Sequence, residues 1–514
     1  MRNLLTMIKA TGVLFTACFL LGGQTAGFWH TSGNQILDSN DQAVRIAGVN
    51  WYGFETQDAV AHGLWANDYR TILNAIKSNG YNTIRLPLSN QAIESPSVPP
   101  NISYNNGAPI NTDLRGLNSL QIMDKIVAYA GQIGLRVILD DHRSEAGNSA
   151  EANGLWYTGS YPESSWINDW KTLAARYLNN PAVVGADLRN EPHNANSGGA
   201  CWGCGSTTND WRLAAERAGN AILNVNPNWL IFVEGTDCYG SDCTWWGGNL
   251  AGAKDNPVLL NVVGRLVYSA HDYGPAEYGQ PWFNGGTTPT TLNALWTKFW
   301  AYLSIQNIAP VFVGEFGTTN NNSDIQNTQA GSQGQWFQAL ISFLRSNPRI
   351  GWTYWALNGE DRYGLLNANY DPTPANALKQ QSLSSIQSTS GTGSGTPPPP
   401  PPPPPPPSNA SCHVSYSVTS QWNVGFGAAI TIQNTGNAAI NNWTLSWTFG
   451  GNQRITQAWN STLINPGPNV TLSNANWNAA IAPGSSVAGI GFNASYSGDN
   501  ALPTAFYLNG QLCR

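Results

Sequence analysis

A (β/α)8 barrel joined by a proline-rich linker to an all-β sandwich is the architecture the sequence predicts, and three observations predict it. Eight short apolar stretches alternate with amphipathic helical patterns through the first two thirds of the chain. An unbroken run of prolines, Pro397 to Pro407, then interrupts the pattern. Beyond it come short runs of alternating apolar and polar residues separated by Gly, Asn and Pro, the signature of a β-sandwich. At 514 residues the chain exceeds what one hydrophobic core supports, so two domains are expected on length alone.

Taken in order, the amino terminus carries Arg2 and Lys9, an apolar run from Ala10 to about Leu21, and small residues up to Ala26. That is the layout of a secretory signal peptide over 1–26, and it predicts an extracellular protein. A lipid-modified Cys18 is the rival reading; the very apolar Phe19-Leu20-Leu21 that follows it argues against it. The apolar run is too short to span a bilayer, and nothing later in the sequence reaches the ~18 consecutive apolar residues a span requires, so no membrane partner is expected.

The larger domain, 27–386, offers strands at Ala43–Trp51, Asn82–Leu88, Arg136–His142, Val183–Asn190, Leu230–Glu234, Leu266–Tyr273, Pro310–Phe316 and Ile350–Leu357. Three helical stripes lie between them: Tyr69, Ile72, Leu73 and Ile76; Leu120, Met123, Val127 and Ala130; Trp166, Trp170, Ala174 and Tyr177. Stripes at this spacing are core rather than ligand contacts. An open doubly wound sheet is the competing arrangement, but no GxGxxG or P-loop follows the first strand. Residues 387–411 form the linker, whose polyproline run rises ~3.1 Å per residue and so acts as a semi-rigid spacer of ~34 Å. The smaller domain is 412–514.

Without Cys18 six cysteines remain, an even number that in an exported chain implies disulfides, here paired as Cys201–Cys204, Cys238–Cys243 and Cys412–Cys513. Cys201-Trp202-Gly203-Cys204 has no second CxxC to complete a zinc site, so no metal is expected, and no cofactor motif is present.

Composition narrows the ligand. Charged residues make up 11% of the chain, the net charge is −6 and no basic run exists, which excludes phosphate-neutralising contact with nucleic acid. There are instead 22 Trp, 19 Tyr and 53 Gly among many Asn, Ser and Thr. Aromatic faces with neutral hydrogen-bonding groups suit an uncharged, hydroxylated ligand with apolar C–H faces, a carbohydrate. Nothing signals oligomerisation, and a monomer is expected.

The predicted strands end in chemistry. Arg85 closes the second, His142 the third, Asn190 and Glu191 the fourth, His271 and Tyr273 the sixth, Glu315 the seventh and Trp355 the eighth. A parallel barrel delivers all of them to one rim. Each alone has a bland explanation: an ion pair, a satisfied histidine, a turn, a core ring. Two carboxylates facing each other across a barrel mouth, one protonated and one ionised, are what glycoside hydrolysis needs.

Asn50-Trp51-Tyr52-Gly53-Phe54-Glu55, Ile84-Arg85-Leu86-Pro87, Asp140-Asp141-His142-Arg143, Arg189-Asn190-Glu191-Pro192, Ala270-His271-Asp272-Tyr273, Val313-Gly314-Glu315-Phe316-Gly317 and Trp352-Thr353-Tyr354-Trp355 together resemble glycoside hydrolase family 5, the cellulase-like barrels. The resemblance covers essentially the whole larger domain. It implies Glu191 as general acid/base and Glu315 as nucleophile of a retaining mechanism, with carboxyl groups ~5–5.5 Å apart. It further implies that Asn190 holds the sugar 2-hydroxyl, Tyr273 and Arg85 orient Glu315, His271 lies beside Glu191, His142 lines the cleft and Trp355 stacks under the sugar being cleaved. Trp51, Trp245 and Trp246 read either as platforms for more distant sugars or as packing. Glu234 ends the fifth strand but matches no family role and is read as structural. Asp140 and Asp141 are expected to make buried hydrogen bonds; the family often has a basic residue at the Asp141 position.

In the smaller domain Trp443 and Trp447 alternate with polar residues and read as core. Trp422, Trp459 and Trp477 stand in polar surroundings and read as exposed, which marks a binding surface. Their placement between Cys412 and Cys513 resembles a family 2 carbohydrate-binding module and implies a flat aromatic strip for crystalline polysaccharide. The expected function is a secreted endo-β-1,4-glucanase acting on cellulose. Mannan, xyloglucan and mixed-linkage glucan are the alternative substrates, and a non-catalytic polysaccharide-binding protein is the alternative class.

Overall fold

The computed structural model describes residues 27–195, 198–387, 412–449, 451–467, 469–497, 500, 502–503, 505–509 and 511–513. The expected signal segment, Cys18 and the polyproline spacer lie outside them. The described residues form two compact units, divided between Thr392 and Gly393.

The first unit is a closed barrel of eight parallel strands: β1 (Ala47–Asn50), β2 (Thr83–Ser89), β3 (Arg136–Arg143), β4 (Val183–Asp187), β5 (Leu230–Glu234), β6 (Leu266–His271), β7 (Val311–Glu315) and β8 (Gly351–Tyr354). Each strand pairs with its sequence neighbours, and β8 closes on β1 through Trp352↔Ala47 and Tyr354↔Val49. The strands are buried on both faces, as expected when side chains fill the inside and helices cover the outside.

The helices bury the predicted stripes. Helix α1 (Tyr69–Ser78) starts where the Asp68 side chain accepts from the Arg70 backbone N–H, and it buries Tyr69, Ile72, Leu73 and Ile76. Helix α2 (Ser119–Gln132) opens with a reciprocal Asn118–Gln121 capping box and buries Leu120, Met123, Val127 and Ala130. Helix α3 (Glu163–Arg176) buries Trp166, Trp170 and Ala174. Both tryptophans donate their Nε1–H to the Leu188 carbonyl, at 3.0 and 3.1 Å, and so fix the chain that leaves β4.

Three strand predictions are corrected, the eighth strand ending at Tyr354 rather than Leu357. The stretch Ala43–Trp51 is two elements: Ala43–Val44 joins a small antiparallel sheet with His30–Ser32 and Gln35–Leu37, and only Ala47–Asn50 enters the barrel. The small sheet brings Trp29 and Ile36 against Ile46, Ile138, Val184, Phe232 and Phe312 and so packs against the amino-terminal side of the barrel interior. The fourth strand stops at Asp187 rather than Asn190; beyond it the Asn190 N–H still reaches the Asp141 carbonyl of β3 at 3.0 Å, and the chain turns at Glu191, which has φ +48°.

The second unit is a sandwich. One sheet has the order β9-β10-β15-β12, built from β9 (Cys412–Trp422), β10 (Gly425–Asn434), β12 (Arg454–Trp459) and β15 (Ser486–Ser495). The other has the order β13-β14-β11-β16-β17, from β11 (Thr444–Thr448), β13 (Ser461–Pro466), β14 (Asn469–Asn474), β16 (Phe506–Leu508) and β17 (Gln511–Cys513). Trp443 and Trp447 are buried in its core with Phe426, Ile430 and Phe492. The disulfides present are Cys201–Cys204, Cys238–Cys243 and Cys412–Cys513.

Candidate active site

Arg85 is the hub of the barrel mouth. It projects inward from β2, is fully buried, and its guanidinium has no solvent to compensate it. Its Nε donates to Asp187 Oδ2 at 2.8 Å and its Nη1 to Glu315 Oε1 at 2.8 Å and Asn50 Oδ1 at 3.0 Å. Its Nη2 donates to Glu234 Oε1 at 3.1 Å and Asn190 Oδ1 at 3.2 Å and lies 3.1 Å from Asp140 Oδ1. Five other strands, β1, β3, β4, β5 and β7, are thus tied to one planar cation carried by β2. Burial opposes the charge of Arg85, but Asp140, Asp187, Glu315 and Glu234 hold it well above its ordinary range.

Around this hub stand the two carboxyls the sequence singled out. Glu315, at the end of β7, receives the Tyr273 hydroxyl on Oε2 at 2.8 Å besides Arg85 on Oε1. Glu191 follows β4, and its side chain is 18% exposed where that of Glu315 is 5% exposed. Burial pushes the Glu191 carboxyl above its ordinary value; a hydrogen bond and charge from His271 oppose this, and the charges of Glu315 and Glu234 add to it. His271 Nδ1 lies 3.0 Å from Glu191 Oε1 and 3.6 Å from Glu315 Oε2, and one oxygen of each carboxyl and a nitrogen of His271 fall within 4.8 Å of one another. Such a trio would also suit a cation. Here both nitrogens of His271 already face carboxylates, Nε2 lying 3.2 Å from Glu234 Oε1. Burial opposes the charge of His271, but Glu234 and Glu315 raise its pKa well above the ordinary histidine value.

The cleft above these groups has a volume of about 770 Å³ and is lined by Tyr52, His142, Trp245, Trp246, Trp355 and Tyr363 among others. Trp355, just beyond β8, lies nearly parallel to Tyr52 (centroids 5.3 Å apart, planes 14°) and to His142 (5.6 Å, 18°). His142 Nδ1 is 2.8 Å from Asp140 Oδ2, which fixes the ring. Trp246 is 45% exposed and stacked at 3.8 Å on His193, an open platform; Trp245 is buried edge-on against Tyr273 and Trp282 while still lining the cleft.

One sequence assignment changes. Trp51 is not a platform: it is fully buried, donates its Nε1–H to the His62 carbonyl at 2.8 Å, and lies outside the cleft lining. Arg85 and His271 are fully buried and do not line the cleft, and they contact Glu315 and Glu191 as the resemblance implies. Glu234, read as structural, is buried at the centre of the network; Asn50 carried the resemblance without an assigned role, and Asp187 was not singled out. Asp141 makes the expected buried contact, with Arg189 Nη1 at 2.9 Å. In the second unit Trp422, Trp459 and Trp477 are 47%, 41% and 70% exposed.

A barrel with paired carboxyls at the carboxyl ends of β4 and β7, one ordered by Arg and Tyr and the other by His, defines a glycosidase by class. Comparison with known proteins gives the family: residues 37–361 match the cellulase family, glycosyl hydrolase family 5, and the chain belongs to it. Residues 412–513 match the cellulose-binding domain family. An endoglucanase of Paenibacillus polymyxa is 49% identical over 365 residues, covering 70% of this chain and 87% of that one. The major extracellular endoglucanase of Xanthomonas campestris pv. campestris is 34% identical over 504 residues, covering 95% and 98%. Among solved structures, the hyperthermophilic endocellulase of Pyrococcus horikoshii aligns with a TM-score of 0.63 at 36% identity, over 71% of this chain and all of that one.

Proposed function

We propose that the chain is a secreted, monomeric endo-β-1,4-glucanase that cleaves internal bonds of cellulose by retaining double displacement, held on its substrate by the second unit. The observation that carries the mechanism is the short approach of Glu191 and Glu315, with one oxygen of each within 4.8 Å. Inverting enzymes need ~6.5–9.5 Å between the carboxyls to seat a water, whereas ~5–5.5 Å suits direct attack.

Glu315 attacks the anomeric carbon. The C1–O bond to the leaving sugar breaks as the Glu191 proton passes to the leaving oxygen, and a Glu315–C1 ester forms. Water then gives a proton to Glu191, its oxygen bonds to C1, and the ester breaks. Two donors, Arg85 and Tyr273, hold one oxygen each of Glu315 and so keep it aimed. Arg85 takes the oxygen of the Asn190 amide, which turns its NH2 group away from Arg85 and suits it to the sugar 2-hydroxyl. Trp355 carries the sugar being cleaved and Trp246 a neighbouring one. Residues 1–26 act as the export signal and 387–411 as the spacer between catalytic and binding domains, a tether that raises local substrate concentration.

Substituting Glu315→Gln is expected to abolish turnover of soluble cellulose derivatives while retention on insoluble cellulose persists; full activity would remove Glu315 as nucleophile. Following the product by proton NMR should show the β-anomer first, and a first-formed α-anomer would sink the retaining mechanism. A product profile across cellulose, mannan, xyloglucan and mixed-linkage glucan fixes the substrate.

A further inference from the structure

We propose that Glu234 is a positioning residue for the acid–base half of the reaction, fixing the carboxyl of Glu191 against the leaving oxygen; this rests on the reading of Glu191 as general acid. Glu234 ends β5, is fully buried and does not line the cleft, so it does not touch substrate. Both of its oxygens are committed to the machinery. Oε2 accepts the backbone N–H of Glu191 at 2.8 Å. Oε1 is 3.1 Å from Arg85 Nη2 and 3.2 Å from His271 Nε2.

The first bond bears on a backbone that would not hold itself. Glu191 has φ +48°, in the left-handed region that few residues other than glycine adopt without compensation. Its N–H is taken by Glu234, and its carbonyl lies 2.8 Å from Nδ1 of His193, so the peptide groups on both sides of the Glu191 Cα are pinned. Glu234 is itself held from behind. Gly247 passes so close that a Cβ there would meet Oε2 at 2.2 Å and the Glu191 Cα at 3.4 Å, so the loop carrying Trp246 seats directly on this carboxylate.

The second contact holds the His271 ring. Its Nε2 lies 3.2 Å from Glu234 Oε1 while Nδ1 lies 3.0 Å from Glu191 Oε1, so the ring is clamped between the two carboxyls. Glu234 moves no proton of the reaction. It decides where the carboxyl that does so stands, and which face of the imidazole that carboxyl sees.

A residue serving only as a counter-ion for Arg85 would matter equally for every substrate, whereas one that places the acid matters only when the leaving group needs a proton. The full chain is therefore assayed on cellopentaose, whose leaving sugar needs protonation, and on dinitrophenyl cellobioside, whose leaving group does not. For Glu234→Gln, in which one amide NH2 must face a donor, kcat/KM is expected to fall about 100-fold on cellopentaose and less than about 5-fold on the activated glycoside. Glu234→Asp keeps the charge beneath Arg85 but is one methylene short, and it should show the same split; it decides the matter if the Gln variant fails to fold by circular dichroism. Equal losses on both substrates would overturn the proposal. Glu191→Ala is the control: a split in Glu191→Ala without one at Glu234 rejects Glu234 alone, and no split in Glu191→Ala rejects the acid assignment and the proposal with it.

Discussion

The phenol of Tyr273 donates to Oε2 of Glu315 at 2.8 Å, on the opposite oxygen from the one bound by Arg85. Burial, reinforced by the charges of Glu315 and Glu191, pushes the Tyr273 hydroxyl well above its ordinary value, so it remains a donor at any working pH. Tyr273→Phe removes one of two charge-assisted bonds, each worth ~1.5–3 kcal/mol, without moving the ring that stacks on Tyr363. Loss of aim at the nucleophile should appear as a 10–100-fold lower kcat with KM nearly unchanged, about 1.4–2.7 kcal/mol by the usual conversion. Steady-state kinetics on a soluble cello-oligosaccharide measure it; a change confined to KM would mean that Tyr273 only binds substrate.

The raised carboxyl of Glu191 sets a sign for the pH profile. Burial is the main cause, with His271 opposing and Glu315 and Glu234 assisting. A general acid must hold its proton, so the alkaline limb of kcat/KM should fall above the ordinary glutamic acid value of 4.5. Stability follows the same linkage. A carboxyl raised in the folded state contributes fully below its unfolded value, and that contribution is lost as pH rises through the folded one. An alkaline limb at the ordinary carboxyl value would show that burial does not control the acid.

Much of this site was legible because a parallel barrel turns chain order into geometry: residues that end strands share a rim whatever their separation in sequence. The parity of each strand is what the linear reading used least. Asn50 points inward, to Arg85 and the Gly314 carbonyl, so its neighbour Trp51 must point outward to the helix layer, where it is buried. The same alternation puts Asp187 inside, on Arg85, and Leu188 outside. An aspartate in an otherwise apolar strand was the available signal for Asp187. For Glu234 the signal was a carboxylate closing a buried strand on the same rim as Glu191 and Glu315, a coincidence outweighed by its lack of a family role. Which of Trp245 and Trp246 is open to solvent depends on loop conformation, and no periodicity encodes that.

Two of the three exposed tryptophans of the sandwich, Trp422 and Trp459, are seated on glycines. Trp422 on β9 pairs across the hairpin with Gly425, and Trp459 on β12 pairs with Gly491 of β15. A Cβ at Gly425 would stand 2.6 Å from Cε2 and Cζ2 of Trp422, and one at Gly491 would stand 2.6 Å from the same atoms of Trp459. Each indole therefore lies flat over a cross-strand position that must have no side chain, and a flat ring exposes the face that a crystalline polysaccharide can stack on. Neither glycine has the positive φ that alanine would resist, so Gly425→Ala and Gly491→Ala should fold and act only by lifting the ring. Loss of one well-seated aromatic contact costs more than about 1 kcal/mol, so affinity for insoluble cellulose should fall ~5–10-fold in each variant. Turnover of a soluble oligosaccharide should not change, because the catalytic barrel is a separate unit. Depletion isotherms on crystalline cellulose make the measurement, with Trp459→Ala setting the full loss. Should Gly491→Ala bind as tightly as the parent while Trp459→Ala does not, the ring is needed but its flat seat is not.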